Sequence, residues 1–450
     1  MNEKDLTTSP ILKTLFEMAF PMSWGILSVI GFNIVDTYFI GQLGKVQLAA
    51  IGLTFPVIMF FFSLALGIGV AISSVVSRYI GEKNESKIKE ITTDALIFSF
   101  ILVAICSVFG FKYIDPLFTL LGATKETLLY VREYMQIWYA GMVFLTVPMA
   151  GNGAIRAKGQ MKVASAIMIT SAIFNIILDP ILIFGIGPIP ALGVQGAALA
   201  SVCARAMTFL ASFYFLHFKF GMLQIKAFSF SRFISSMKEI LKIAIPTWGS
   251  NFLTPVSMAL VTALIARIGE NSMAAFAIVN RVESFALIFI LAISSSIGPM
   301  VGQNFGAQKI GRIKRAISSS FLLAFVWGTI VSFLFLLRPD FIVGIFNDDP
   351  KVINQGVWYF KIVPITFGFF GMRLIVSSAL NAMGKAYIST LLTGVNLIIL
   401  YIPFVFLGIY FADLKGVFYA QAVSNLVIGI ISYFLIKKIL LTGGHQVDQN

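Results

Sequence analysis

Between Val163 and Ile186 the chain carries one charged side chain, Asp179. A run of that length is what an α-helix needs to cross the ~30 Å hydrocarbon core of a bilayer. Comparable apolar runs recur from one end of the 450 residues to the other, and 58% of the residues are hydrophobic against 12% charged, with mean hydropathy +0.91. The chain reads as an all-α integral membrane protein that crosses the bilayer many times. An ionised carboxyl at mid-membrane costs ~2.5–3.5 kcal/mol on insertion scales, so it marks a functional position by default. The competing structural reading is an Asp that hydrogen-bonds a neighbouring helix. Asn175 precedes Asp179 by four residues and shares its helix face. Pro180 follows directly, which frees the carbonyl of Ile176 and predicts a kink beside the acid.

The apolar runs predict twelve spans, near 14–40, 51–77, 92–111, 129–155, 163–186, 193–216, 240–266, 275–300, 316–337, 354–380, 387–411 and 415–436. The first run is longer than a signal-peptide core and has no small-residue cleavage site after it, so it is expected to be retained. Placing both termini in the cytoplasm puts twenty-one Lys and Arg residues on that side against eight outside, Lys4, Arg78, Lys226 and Arg312 among the twenty-one. The positive-inside rule then predicts a cell-membrane protein with cytoplasmic termini, and it accounts for the net charge of +13 without nucleic acid.

The chain also repeats itself. A shift of 225 residues superposes Pro21 on Pro246, Gly44 on Gly269, Gly81 on Gly306, Asp115 on Asp340, Tyr134 on Tyr359 and Gly159 on Gly384. After a two-residue loss, Pro180 pairs with Pro403 and Gly193 with Gly416. Each match alone is weak, but a nearly constant offset across six spans is not chance. The expected architecture is therefore two pseudo-symmetric six-helix lobes related by an axis along the membrane normal. The expected boundaries are 1–217 for the first lobe, 218–242 for a basic linker and 243–450 for the second. Two such lobes suit alternating access, which favours a transporter over a channel or a membrane enzyme.

Duplication supplies its own control. Asp36 aligns with Val261 and Asp179 with Ile402, so the two embedded acids of the first half have no counterpart in the second. A carboxyl held out of water beside a like neighbour takes up a proton more readily than one in water, which suits a proton carrier. The same oxygens, with the Asn175 amide oxygen and a hydroxyl, also suit Na⁺. Arg281, Glu283, Lys361 and Arg373 lie within the spans of the second half, with snorkelling or interior salt bridges as their plainest readings. Cys106, Cys203, His217 and His445 form no metal-ligand spacing, and no phosphate-gripping Gly-rich motif is present, so an ion gradient is the expected energy source, with a separate ATPase chain the alternative.

Several stretches resemble the multidrug and toxic compound extrusion (MATE) transporters over about residues 12–438. They are Pro21 early in the first span, Asp36 before Ile40-Gly41-Gln42-Leu43-Gly44, Gly151-Asn152-Gly153-Ala154-Ile155-Arg156-Ala157-Lys158-Gly159, and Asn175…Leu178-Asp179-Pro180. The Asn-x-x-x-Asp pattern is similar to the DinF-like branch, and residues 254–266 and 363–379, where the NorM-like branch tends to carry acids, hold none. The resemblance implies a cation or proton site at Asp36, Asn175, Asp179 and Ser201, the last standing where a Thr is common. Tyr134 and Asn152 look like further members of the polar cavity, and Asn33, three residues before Asp36, is placed with them. It further implies an antiporter without cofactor or enzymatic activity, acting as a monomer. Small organic molecules, cationic or amphipathic, would leave in exchange for H⁺, with Na⁺ the alternative ion. The runner-up is a flippase for lipid-linked oligosaccharides, a more distant relative expected to have a more cationic cavity.

Overall fold

In the computed structural model, residues 5–224 and 229–447 are described; Lys4 and Lys226 of the charge count lie outside them. Among these residues the regular structure is helical throughout, and ten helices are long and apolar enough to cross a membrane. The chain divides into two compact units, Trp24–Ala244 and Ile245–Asn450 with Met1–Ser23. This partition sets the first 23 residues beside the second half, and it splits the first and ninth helices between units.

The order of elements repeats. The first series is α1 (Ile11–Leu43), α2 (Lys45–Gly81), α3 (Glu85–Lys112), α4 (Ile114–Leu120), α5 (Lys125–Ala140), α6 (Val143–Ala157), α7 (Met161–Phe184) and α8 (Val194–Tyr214). The second is α9 (Phe230–Ala266), α10 (Glu270–Ala286), α11 (Ile288–Gly306), α12 (Ile310–Leu337), α13 (Pro339–Gly344), α14 (Pro350–Ile362), α15 (Phe367–Ala382), α16 (Ala386–Gly394) and α17 (Ile402–Val447). The 225-residue offset carries α3 onto α12, α4 onto α13, α5 onto α14 and α6 onto α15. It reaches the backbone too. Gly44 and Gly269 have φ of 136° and 147°, Gly159 and Gly384 have 77° and 76°, and Lys83 and Gln308 have 59° and 56°. The last pair holds the left-handed conformation without glycine, at the same bend of both halves.

Three expected spans are interrupted. The fourth is split at Gly141–Met142 into α5 and α6, and the eighth at Leu287 into α10 and α11. In the tenth, Pro364 cannot donate a backbone hydrogen bond, and a 3₁₀ turn over Pro364–Thr366 separates α14 from α15. Within α17, Ala412 and Asp413 leave helical geometry, with Asp413 at φ 47°, which separates the two runs expected at 387–411 and 415–436. In addition a π-helical stretch, Val395–Tyr401, joins α16 to α17.

Each unit is built around one buried helix. In the first, α6 packs on α2, α3 and α8; in the second, α15 packs on α11, α12 and α17. The α2–α6 crossing needs bare backbone: a Cβ on Gly69 would sit 2.9 Å from the Met149 carbonyl oxygen, and one on Gly153 would overlap the Gly69 carbonyl. Separate apolar cores fill the units, one around Phe118, Trp138 and Tyr139 and the other around Tyr359, Phe360 and Phe418. The expected 218–242 linker includes the start of α9, which is tied to the first unit by ion pairing of Arg232 with Asp94.

Candidate ion site in the first unit

The hairpin from α7 to α8 sets the site. Gly185 and Gly193 turn the chain at φ 77° and 56°, and the Leu192 and Gly193 N–H groups donate to the Leu182 and Ile183 carbonyls at 3.0 Å. Gly196 then lets α8 meet the backbone of α7 with no Cβ between them. Further along the pair, Ser171 Oγ donates to the Ala204 carbonyl at 3.0 Å. This tight packing brings Ser201 of α8 against Asn175 of α7.

Asp179 is fully buried and Asn175 nearly so. With the Asn175 amide turned to satisfy both ends, its Nδ2 donates to Asp179 Oδ2 at 3.1 Å and its Oδ1 accepts from the Ser201 backbone N–H at 3.3 Å. Asn175 thus presents an N–H donor to the acid, and Ser201 contributes its backbone N–H to the network.

Asp36 reaches the same region from α1. Its Oδ1 is buried with no hydrogen-bond partner, an acceptor left open. It lies within electrostatic reach of Asp179, of the buried Tyr134 on α5 and of Arg205 on α8. Arg205 also stands over the Trp138 ring, 5.9 Å from its centroid. The structure thus brings together Asp36, Asn175, Asp179, Ser201 and Tyr134 within one unit.

Two residues stand apart from this network. Asn33 is exposed and spends its amide on its own helix, donating to the Val29 carbonyl at 2.8 Å. Asn152 is buried on α6 with its Oδ1 unpartnered, and among the described residues no hydrogen bond joins it to the acids. Pro180 lies inside α7, which continues past it to Phe184.

Sequence reasoning missed Arg205, although its position one helical turn after Ser201 is the signal that places both on one face of α8. With Arg205 charged, the cluster of two acids and one guanidinium becomes neutral on taking up one proton. The role of Glu283, left open by the sequence, also gains a setting. Gln421 of α17 donates to its Oε1 at 2.8 Å, and Tyr359 and Tyr401 stand close by, all within the second unit. Among the described residues no group of three or more His, Cys, Asp or Glu side chains is placed to hold a metal ion.

Comparison with known proteins matches the duplicated helical fold. A family model described as MatE fits residues 21–181 and again 246–407, one copy per half. The FAD transporter of Shewanella oneidensis is 37% identical over 436 residues, covering 96% of each chain. The multidrug export protein MepA of Staphylococcus haemolyticus is 26% identical over 434 residues, covering 96% of this chain and 94% of that protein. The crystal structure of the Vibrio cholerae MATE transporter VcmN in its bent form superposes with TM-score 0.91 at 28% identity, over 98% of this chain and 99% of that one. These proteins are named for transport and export, not for catalysis. The chain belongs to the MatE family of multi-pass membrane transporters.

Proposed function

We propose that this transporter is a proton-coupled antiporter of the cell membrane, with both termini in the cytoplasm, and that Asp36 and Asp179 carry the proton. The observation that carries the choice of ion is the orientation of Asn175. An amide N–H aimed at Asp179, with the amide oxygen already bonded to Ser201 N–H, helps hold a carboxyl in place and works against a metal cation there. A hard cation wants several oxygen ligands converging on it. Arg205 adds a positive charge to the same cluster, which further disfavours Na⁺ and leaves one proton as the uptake that neutralises it. Acids on the first and fifth spans, with none in residues 254–266 and 363–379, support placement in the DinF-like branch.

For the cargo, the relative at 37% identity favours a flavin dinucleotide, since that protein is named an FAD transporter. A second reading, export of organic cations, is favoured by the multidrug exporters at 26% identity and by the acids themselves. Purified protein in vesicles with an imposed pH gradient, clamped voltage and no sodium separates these readings. The expected result is gradient-driven movement of FAD, with ethidium as the comparison cargo. Transport that requires sodium and ignores the pH gradient overturns the choice of ion. Movement of ethidium with none of FAD overturns the choice of cargo.

A further inference from the structure

The central helix of the second unit has one half-open face. Most of α15 is buried, but Phe370, Arg373, Ser377 and Asn381 lie on a stripe that stays partly accessible. Three of these carry polar atoms that are buried and unpartnered: Arg373 Nε, Ser377 Oγ and Asn381 Oδ1. They recur every four residues, so they stack on one side of the helix over about 12 Å of its length. Among the described residues Arg373 makes no ion pair and no hydrogen bond. Its guanidinium stands over the Phe370 ring, 5.3 Å from the centroid. Neither plain reading of this residue, an interior salt bridge or a snorkelling cation, fits a guanidinium at mid-helix with an orphaned donor.

The repeat points the same way. The 225-residue offset lays Ser377 on Asn152, whose buried Oδ1 is also unpartnered, and Asn381 on Arg156. Both central helices therefore keep polar groups on the corresponding turns, and among the described residues each carries one arginine without an ion pair, Arg156 in the first and Arg373, two turns earlier in the repeat, in the second.

We infer that this stripe of α15 reads an anionic, phosphate-bearing part of the cargo, with Arg373 as the counter-ion. A guanidinium offers paired N–H donors in the geometry that phosphate oxygens accept. Ser377 supplies a hydroxyl one turn on. Asn381 Oδ1, an open acceptor, suits a sugar hydroxyl beyond the phosphate. The length of the stripe matches a pyrophosphate with its adjoining sugar. The inference rests on the flavin-dinucleotide reading and deepens it, because it assigns the phosphates rather than the ring as the group recognised here.

The test is equilibrium binding of FAD, riboflavin and inorganic pyrophosphate to the full chain in nanodiscs, for wild type, Arg373→Gln, Arg373→Lys and Ser377→Ala. Removing a cation that has no partner leaves no orphan behind, so Arg373→Gln is expected to fold, as checked by its thermal transition. The expected result is a ~10–100-fold weaker FAD and pyrophosphate affinity in Arg373→Gln, unchanged riboflavin affinity, and partial recovery in Arg373→Lys. Equal FAD and pyrophosphate binding by wild type and Arg373→Gln overturns the inference, as does an equal loss of riboflavin binding. If FAD is not transported while pyrophosphate binding still depends on Arg373, the flavin reading fails and the phosphate-reading stripe stands.

Discussion

Asp94→Ala tests how the chain between the halves is held. Asp94 on α3 is 0% exposed, accepts from Ser236 Oγ at 2.6 Å and pairs with Arg232 Nη2 at 3.3 Å. Both partners lie on the first turns of α9, so one carboxyl fastens the start of that helix to the first unit. The Arg232 side chain is 18% exposed and its Nε has no hydrogen-bond partner, so truncation of Asp94 strands a mostly buried cation. Breaking a buried pair from one side costs ~3–5 kcal/mol. Partial exposure of the guanidinium pulls the estimate toward the lower end, and the stranded Ser236 hydroxyl adds ~1 kcal/mol. We therefore expect a loss of ~3–4 kcal/mol for Asp94→Ala. Asp94→Asn keeps an acceptor for Ser236 and is expected to cost about half as much. The assay is the thermal transition of purified protein followed by tryptophan fluorescence, together with the Asp94→Ala/Arg232→Met double variant. Because the double variant leaves no orphan charge, it is expected to be more stable than Asp94→Ala alone. A double variant as unstable as the sum of the two single changes, or a transition for Asp94→Ala within about 1 °C of wild type, refutes the reasoning.

Asp36→Asn and Asp179→Asn are each expected to abolish export driven by a pH gradient in vesicles while the protein still inserts and folds, whereas Asn175→Ala, which removes a supporting donor rather than a proton carrier, is expected to lower it only in part; full export by both Asp variants removes the site assignment. Gly153→Ala is expected to cost ~1–3 kcal/mol through forced separation of α2 and α6, read as a lowered thermal transition, because the added Cβ meets the Gly69 carbonyl.

Much of the molecule was legible because a bilayer leaves the chain few choices. Apolar runs must become helices, so the helical class followed from hydropathy; α7 matches its expected span at both ends, whereas α3 and α12 match at their C-terminal ends and begin earlier, on polar residues that hydropathy leaves out. The repeat was legible because glycines at forced backbone turns recur at one offset, and the structure adds the left-handed pair Lys83 and Gln308, whose residue types carry no such signal. Asp36 and Asp179 stood out for an energetic reason: a carboxyl in an apolar run is costly wherever the helix ends up.

Partnership was decided only by tertiary structure. Hydropathy cannot say which way an amide turns, and Asn175 offers its N–H to the acid because the Ser201 backbone, brought in by the Gly196 contact, takes the oxygen. Arg205 joins Asp36 only because α8 returns alongside α7 and faces α1 and α5. Asn33, placed by the sequence reading with the polar cavity, spends its amide on the Val29 carbonyl of its own helix, a bond that only the folded helix displays. For Arg373 the sequence supplied a charge in a span; that nothing pairs with it is a fact of packing, since ion pairing depends on distances between helices that no single run of residues specifies.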